Sequence, residues 1–183
     1  MIILIGMPGS GKTTVMNLFE RVYAEPTADI DSYIENEHGN ISNIFADYGE
    51  EYFRDIETRT IKKVFGLYND APGFLADGSQ KIVSPFALVS TGGGSVLREE
   101  NVKIFKEQGK IVYLRANPET LLKRLEGDKT RPLLQGGMRE KLTALFETRS
   151  AIYERVADVI IDTDGLTPEQ TLRLIFEKTE KDA

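Results

Sequence analysis

The sequence predicts an α/β domain of three layers, a parallel sheet held between two layers of helices. Three observations lead there. Short, nearly continuous apolar runs recur along the chain, as in strands buried on both faces. Helical patterns separate them, an alternation that implies right-handed crossovers. A glycine-rich turn joins the first apolar run to the first helical stretch.

In order, the strands are expected at residues 2–5, 28–30, 87–90, 111–114 and 159–161. Helices are expected at 12–22, 41–65, 99–108, 118–125, 139–156 and 168–179. Two segments interrupt the alternation. Residues 67–85 are rich in Gly, Pro and Asp and read as an irregular excursion. Residues 126–140, "EGDKTRPLLQGGMRE", are partly basic, broken by Pro132 and flanked by Gly127, Gly136 and Gly137. This second segment is either a mobile lid or an inert surface loop. At 183 residues the chain suits one domain, 1–183, with a substantial core.

Composition narrows the chemistry. The 40% hydrophobic and 28% charged fractions are ordinary for a soluble globular protein. A net charge of −6 argues against a nucleic-acid surface and leaves only a local basic cleft open. With no cysteine and the single histidine His38, disulfides, thiolate metal sites and multi-histidine centres are excluded. The opening "MIILIGMPGS" lacks a basic leader and a cleavage signal, so it reads as a strand. No window approaches the roughly 18 apolar residues of a membrane span. A cytosolic location without a membrane partner is expected.

"GMPGSGKTT" fits a phosphate-binding loop: Gly6, four residues, then Gly11, Lys12 and Thr13. The backbone N–H groups of such a loop, around Gly9, Ser10 and Gly11, point at phosphate oxygens, aided by the positive end of the following helix. Lys12 would reach the β- and γ-phosphates of a nucleoside triphosphate, and the Thr13 hydroxyl would ligate Mg²⁺. Such loops serve GTPase switches, ATPase motors and small-molecule kinases. A GTPase would carry an Asn-Lys-x-Asp motif, which is absent. "DTDG" (162–165) lies after the last strand and reads as a turn bordering the base; "DVIID" resembles a motor's acidic strand, also in the wrong place.

A phosphoryl-transfer enzyme needs an acid near the acceptor hydroxyl, anchors for the acceptor and a cation over the transferring group. In "ADIDSYIE", Asp29 and Asp31 would face opposite ways if extended, one toward Mg²⁺ and one toward an acceptor. The plainer alternative is two aspartates capping a helix. Arg54 and Glu57 are spaced to pair on one helix face, either to hold the guanidinium for an anion or as an ordinary surface pair. Phe45 and Phe53 read as core by their spacing. Arg131, in the 126–140 segment, could act on the transferring phosphoryl like an arginine finger. Arg149, on the helix before the last strand, would alone be a surface arginine.

Together these pieces resemble the shikimate kinase family, over nearly the whole chain. That family's pattern runs from a phosphate loop to an Asp-x-Asp, an Ile-Phe and a Gly-Glu-x-x-Phe-Arg-x-x-Glu. A triple glycine, an Arg-Pro-Leu-Leu and a late Arg-x-x-x-Tyr follow. The chain carries these in order at residues 6–14, 29–31, 44–45, 49–57, 92–94, 131–134 and 149–153. The resemblance implies a five-stranded parallel sheet of order 2-3-1-4-5 and ATP-dependent phosphorylation of the shikimate 3-hydroxyl, in aromatic amino-acid biosynthesis. It implies that Lys12, Thr13 and Thr14 handle ATP, with Arg131 on its phosphates and Arg124 against its adenine. It places Mg²⁺ near Thr13 and Asp29, gives Asp31 to the ring hydroxyls as orienting group or base, and sets Arg54 and Arg149 on the carboxylate with Glu57 fixing Arg54. With the acceptor region at about 31–65 and the lid at about 126–140, the resemblance implies ATP and shikimate as partners, and a monomer is expected.

Two departures stand out. Met16 replaces a usual glycine, and 67–85 is longer than the usual link, with a solvent bulge favoured over an oligomer contact or a longer pocket wall. A gluconate kinase-like enzyme and a catalytically idle nucleotide-binding module are the alternatives. Gly92, Gly93 and Gly94 either form a plain tight turn or let the backbone approach the acceptor, with Gly93 expected to make that contact.

Overall fold

The computed structural model describes residues 1–67, 85–126 and 137–180. The elements are β1 (Ile2–Ile5), α1 (Lys12–Tyr23), β2 (Thr27–Asp29), α2 (Ile30–His38), α3 (Ile41–Val64), β3 (Leu88–Ser90), a 3₁₀ turn (Ser95–Leu97), α4 (Glu99–Gln108), β4 (Lys110–Arg115), α5 (Pro118–Leu125), α6 (Met138–Val156), β5 (Val159–Asp162) and α7 (Pro168–Glu180). All five strands are parallel, in the order β2-β3-β1-β4-β5. Ile3 of β1 pairs with Val89 on one side and Ile111 on the other.

Alternation along the strands divides the core in two. Ile3, Ile5, Val89, Ile111 and Tyr113 face one layer, where Ile56, Ile104, Leu121 and Tyr153 of α3 to α6 cover them. Leu4, Leu88, Val112 and Ile161 face the other, under α1 and α7. Met16, the departure from the family glycine, is buried in this second cluster. Among the described residues no helix is long and apolar enough to cross a membrane.

Two elements differ from expectation. Residue 30 does not extend a strand: Asp29 ends β2 and caps α2 at once, its carboxylate accepting from Ser32 N at 3.1 Å. Asp31 therefore sits in the first turn of a helix, and the extended geometry that would turn Asp29 and Asp31 opposite ways is corrected. The helix expected at 41–65 is bent at Gly49, whose backbone (φ 82°, ψ 176°) leaves helical space. The bend brings Phe45, before it, to 4.6 Å from Phe53, after it, measured between ring centroids. Residues 68–84, most of the 67–85 excursion, and 127–136 of the expected lid lie outside the described residues.

A Cβ at Gly49 would meet nothing within 4 Å, so its requirement is conformational rather than steric. Gly49→Ala should therefore lower unfolding free energy by about 1–3 kcal/mol, the cost of a non-glycine residue in this region of backbone space. Urea denaturation checks this, and unchanged stability would mean that α3 can run straight.

Candidate active site

The loop of residues 6–14 leaves the carboxyl end of β1 and closes into α1. Gly11, at φ 97°, takes the left-handed conformation that starts the helix without a side-chain cap. Lys12 is buried and arches back over the loop, its Nζ donating to Gly6 O at 2.9 Å and Met7 O at 3.1 Å. Thr13 Oγ1 donates to Asp29 Oδ2 at 2.9 Å, tying the loop to the end of β2. These two groups present hard oxygen donors, which suit Mg²⁺. Among the described residues no group of three or more acidic or histidine ligands exists, so phosphate and water would complete such a shell.

Beyond the loop lies a cavity of about 430 Å³, lined by Gly9, Ser10, Thr14, Arg124, Thr163 and Thr171 among others. Arg124 closes one side: it donates to Thr163 O at 2.8 Å, Thr163 Oγ1 at 3.1 Å and Ser10 O at 3.4 Å. The turn at 162–165 thus borders this cavity through Thr163.

A second cavity, of about 290 Å³, opens on the other side of Thr13, which lines both. Asp31, Arg54, Glu57, Arg149 and Gly92 to Gly94 share its wall with Phe45 and Phe53. The two phenylalanines therefore serve both core and cavity. Arg54 and Arg149 are 6% and 5% exposed, so neither is a surface arginine. Arg54 Nη1 donates to Glu57 Oε2 at 2.7 Å, while its Nη2 and Nε reach Glu50 Oε1 at 3.1 and 3.3 Å. Burial opposes the Arg54 charge, but the carboxylates of Glu57 and Glu50 outweigh it and hold the guanidinium pKa above its ordinary value. The guanidinium also lies over the Phe53 ring, 5.1 Å from its centroid.

The triple glycine packs against these side chains. A Cβ at Gly92 would stand 2.6 Å from Glu57 Oε1 and 2.7 Å from Asp31 Oδ1; one at Gly94 would overlap the Arg54 guanidinium. At both positions the missing side chain makes room for the chain's own charged groups. Gly93 meets Pro8, and its carbonyl accepts from the Tyr153 hydroxyl. Tyr153 lies one turn beyond Arg149 on α6 and stacks on Tyr113 at 4.9 Å. Burial pushes its hydroxyl up to about 12, against the pull of Arg149 and Arg54.

Every site residue named from the sequence except Arg131 borders one of the two cavities. Arg131 lies outside the described residues. Sequence reasoning did not single out Ser95, whose buried Oγ donates to Glu57 Oε1 at 2.6 Å, or Glu50. Their only signals were adjacency to the glycine run and i,i+4 spacing to Arg54.

A family model described as Shikimate kinase matches residues 8–70 and 79–180. The unmatched residues 71–78 fall within the stretch noted for its length. A shikimate kinase of Dictyoglomus turgidum is 38% identical over 182 residues, covering 97% of this chain and 96% of its own. One of Moorella thermoacetica is 40% identical over 177 residues, with 96% and 92% covered. The solved shikimate kinase of Acinetobacter baumannii in complex with shikimate has a TM-score of 0.83 at 31% identity, covering 99% of this chain and 93% of that one. That of Aquifex aeolicus has a TM-score of 0.75 at 31% identity, covering 99% and 96%.

The geometry makes Glu57 the principal partner of Arg54, and Glu50 a half-exposed auxiliary. Glu57→Ala should cost about 3 kcal/mol by denaturant unfolding, because it strands a buried cation. Glu50→Ala should cost less than about 1 kcal/mol. Equal losses would contradict this ranking.

Proposed function

The chain belongs to the shikimate kinase family, and we propose that it transfers the γ-phosphoryl group of ATP to the shikimate 3-hydroxyl, giving shikimate 3-phosphate and ADP. One observation carries the reading: two cavities meet at Thr13, a phosphate loop in one and two buried guanidinium groups in the other. ATP takes the larger cavity, its phosphates on the loop N–H groups and Lys12, its base toward Arg124 and Thr163. Shikimate takes the smaller, its carboxylate between Arg54 and Arg149. Charge-assisted forks fix orientation as well as adding affinity, so the ring stands one way round and a single hydroxyl faces Thr13.

Phosphoryl transfer asks the protein for positioning and electrostatic stabilisation. The attacking hydroxyl oxygen bonds to phosphorus as the bond to the ADP oxygen breaks. Asp31, at the cavity wall beside Gly92, accepts the hydroxyl's hydrogen bond and aims it. A loose transition state needs little prior removal of the proton, so orientation is the larger part of this role. Mg²⁺, when bound near Thr13 and Asp29, would neutralise phosphate charge. Arg131 belongs to the same reading as a contact to the ATP phosphates. ATP is a cytoplasmic metabolite, which supports a cytoplasmic location, and the same reading takes the enzyme as a monomer.

A coupled ADP-release assay with MgATP and a panel of shikimate, quinate and gluconate tests the reading. Turnover should depend on shikimate; its absence, or turnover with gluconate alone, would overturn it. Arg54→Ala should raise the shikimate KM about 100-fold, the loss of charge-assisted hydrogen bonds, with the ATP KM within about threefold. Equal losses for both substrates would remove Arg54 from the acceptor site.

A further inference from the structure

We propose that Ser95 is a positioning residue for the acceptor, setting the aim of Arg54 through Glu57. The proposal rests on the assignment of Arg54 to the shikimate carboxylate. Glu57 is fully buried, and each of its oxygens has its own donor: Oε2 takes Arg54 Nη1 at 2.7 Å, and Oε1 takes Ser95 Oγ at 2.6 Å. The terminal torsion of a glutamate is broad and weakly restricted. A carboxylate held at one oxygen can swing about that bond, and the guanidinium attached to it swings too. A donor on the second oxygen fixes the plane.

A hydroxyl suits this task because it is neutral. It fixes the carboxylate without a positive charge that would compete with Arg54 for it. Glu50 cannot substitute, since it is half-exposed and engages the other edge of the guanidinium. Ser95 is itself firmly held: its N–H donates to Gly92 O at 3.2 Å, and its carbonyl accepts from the buried Asn101 side chain at 2.9 Å. The result is a chain of contacts from α4 through Ser95 and Glu57 to Arg54, on the acceptor side alone. None of Ser95, Glu57 or Arg54 lines the cavity beyond the phosphate loop.

Ser95→Ala should weaken shikimate binding about tenfold by calorimetry and leave ATP binding within about twofold. Ser95→Cys, which keeps a side chain of similar shape but donates poorly, should behave like the alanine variant, and it covers the case in which alanine fails to fold. In an Arg54→Lys background, where the planar fork is gone, Ser95→Ala should add less than about threefold. Three results would overturn the proposal: equal losses for ATP and shikimate, wild-type binding by Ser95→Cys, or a full tenfold effect persisting beside Arg54→Lys. Arg54→Lys with unaltered shikimate affinity would instead overturn the assignment of Arg54 on which the proposal stands.

Discussion

The ion pair between Arg54 and Glu57 governs the smaller of the two cavities. An unpaired ion in a protein interior costs several kcal/mol, and a pair offsets that cost only with good geometry and further hydrogen bonds. Here the geometry comes from one helix face, the further bonds from Ser95 and Glu50. The surrounding residues follow from that arrangement. Gly92 and Gly94 lack side chains because Glu57, Asp31 and Arg54 occupy the space a Cβ would need. Phe53 supplies a flat face beneath the guanidinium. Arg149 adds a second buried guanidinium to the same cavity wall.

The sheet brings this cavity to the phosphate loop. Because β3 lies directly beside β1, the triple glycine and the phosphate loop emerge side by side at the carboxyl edge of the strands. Ligands gather at that edge in open α/β sheets. The Thr91 backbone N–H donates to Leu4 O at 3.1 Å and extends the pairing up to the glycines. On the far side, Tyr153 reaches from α6 to the Gly93 carbonyl, so a residue one turn from Arg149 also steadies the glycine loop. Two arginines distant in sequence thus share one wall.

Much of this was legible in the residues. The strand and helix alternation, the phosphate loop and the Arg54–Glu57 spacing are local patterns, and local patterns survive without knowledge of packing. What was not legible depends on tertiary contacts. Helix α2 has few apolar residues and begins without a loop, so Ile30 read as the last residue of a strand when the Asp29 cap had already turned the chain. Gly49 inside a helical pattern signals weakness but not a bend. The stretch around Arg149 looks like an exposed charged helix, and only tertiary packing buries it. The Ser95 hydroxyl is in the same position: nothing beside it in sequence indicates a carboxylate 38 residues away.

Where the acceptor's carboxylate binds decides the proposed roles of Arg54 and Arg149, and a crystal structure of the protein with shikimate and ADP tests it most directly. The carboxylate should lie between the Arg54 and Arg149 guanidinium groups, with the ring beside Gly92 to Gly94 and a hydroxyl near Asp31. A bound shikimate whose carboxylate touches neither arginine would contradict it.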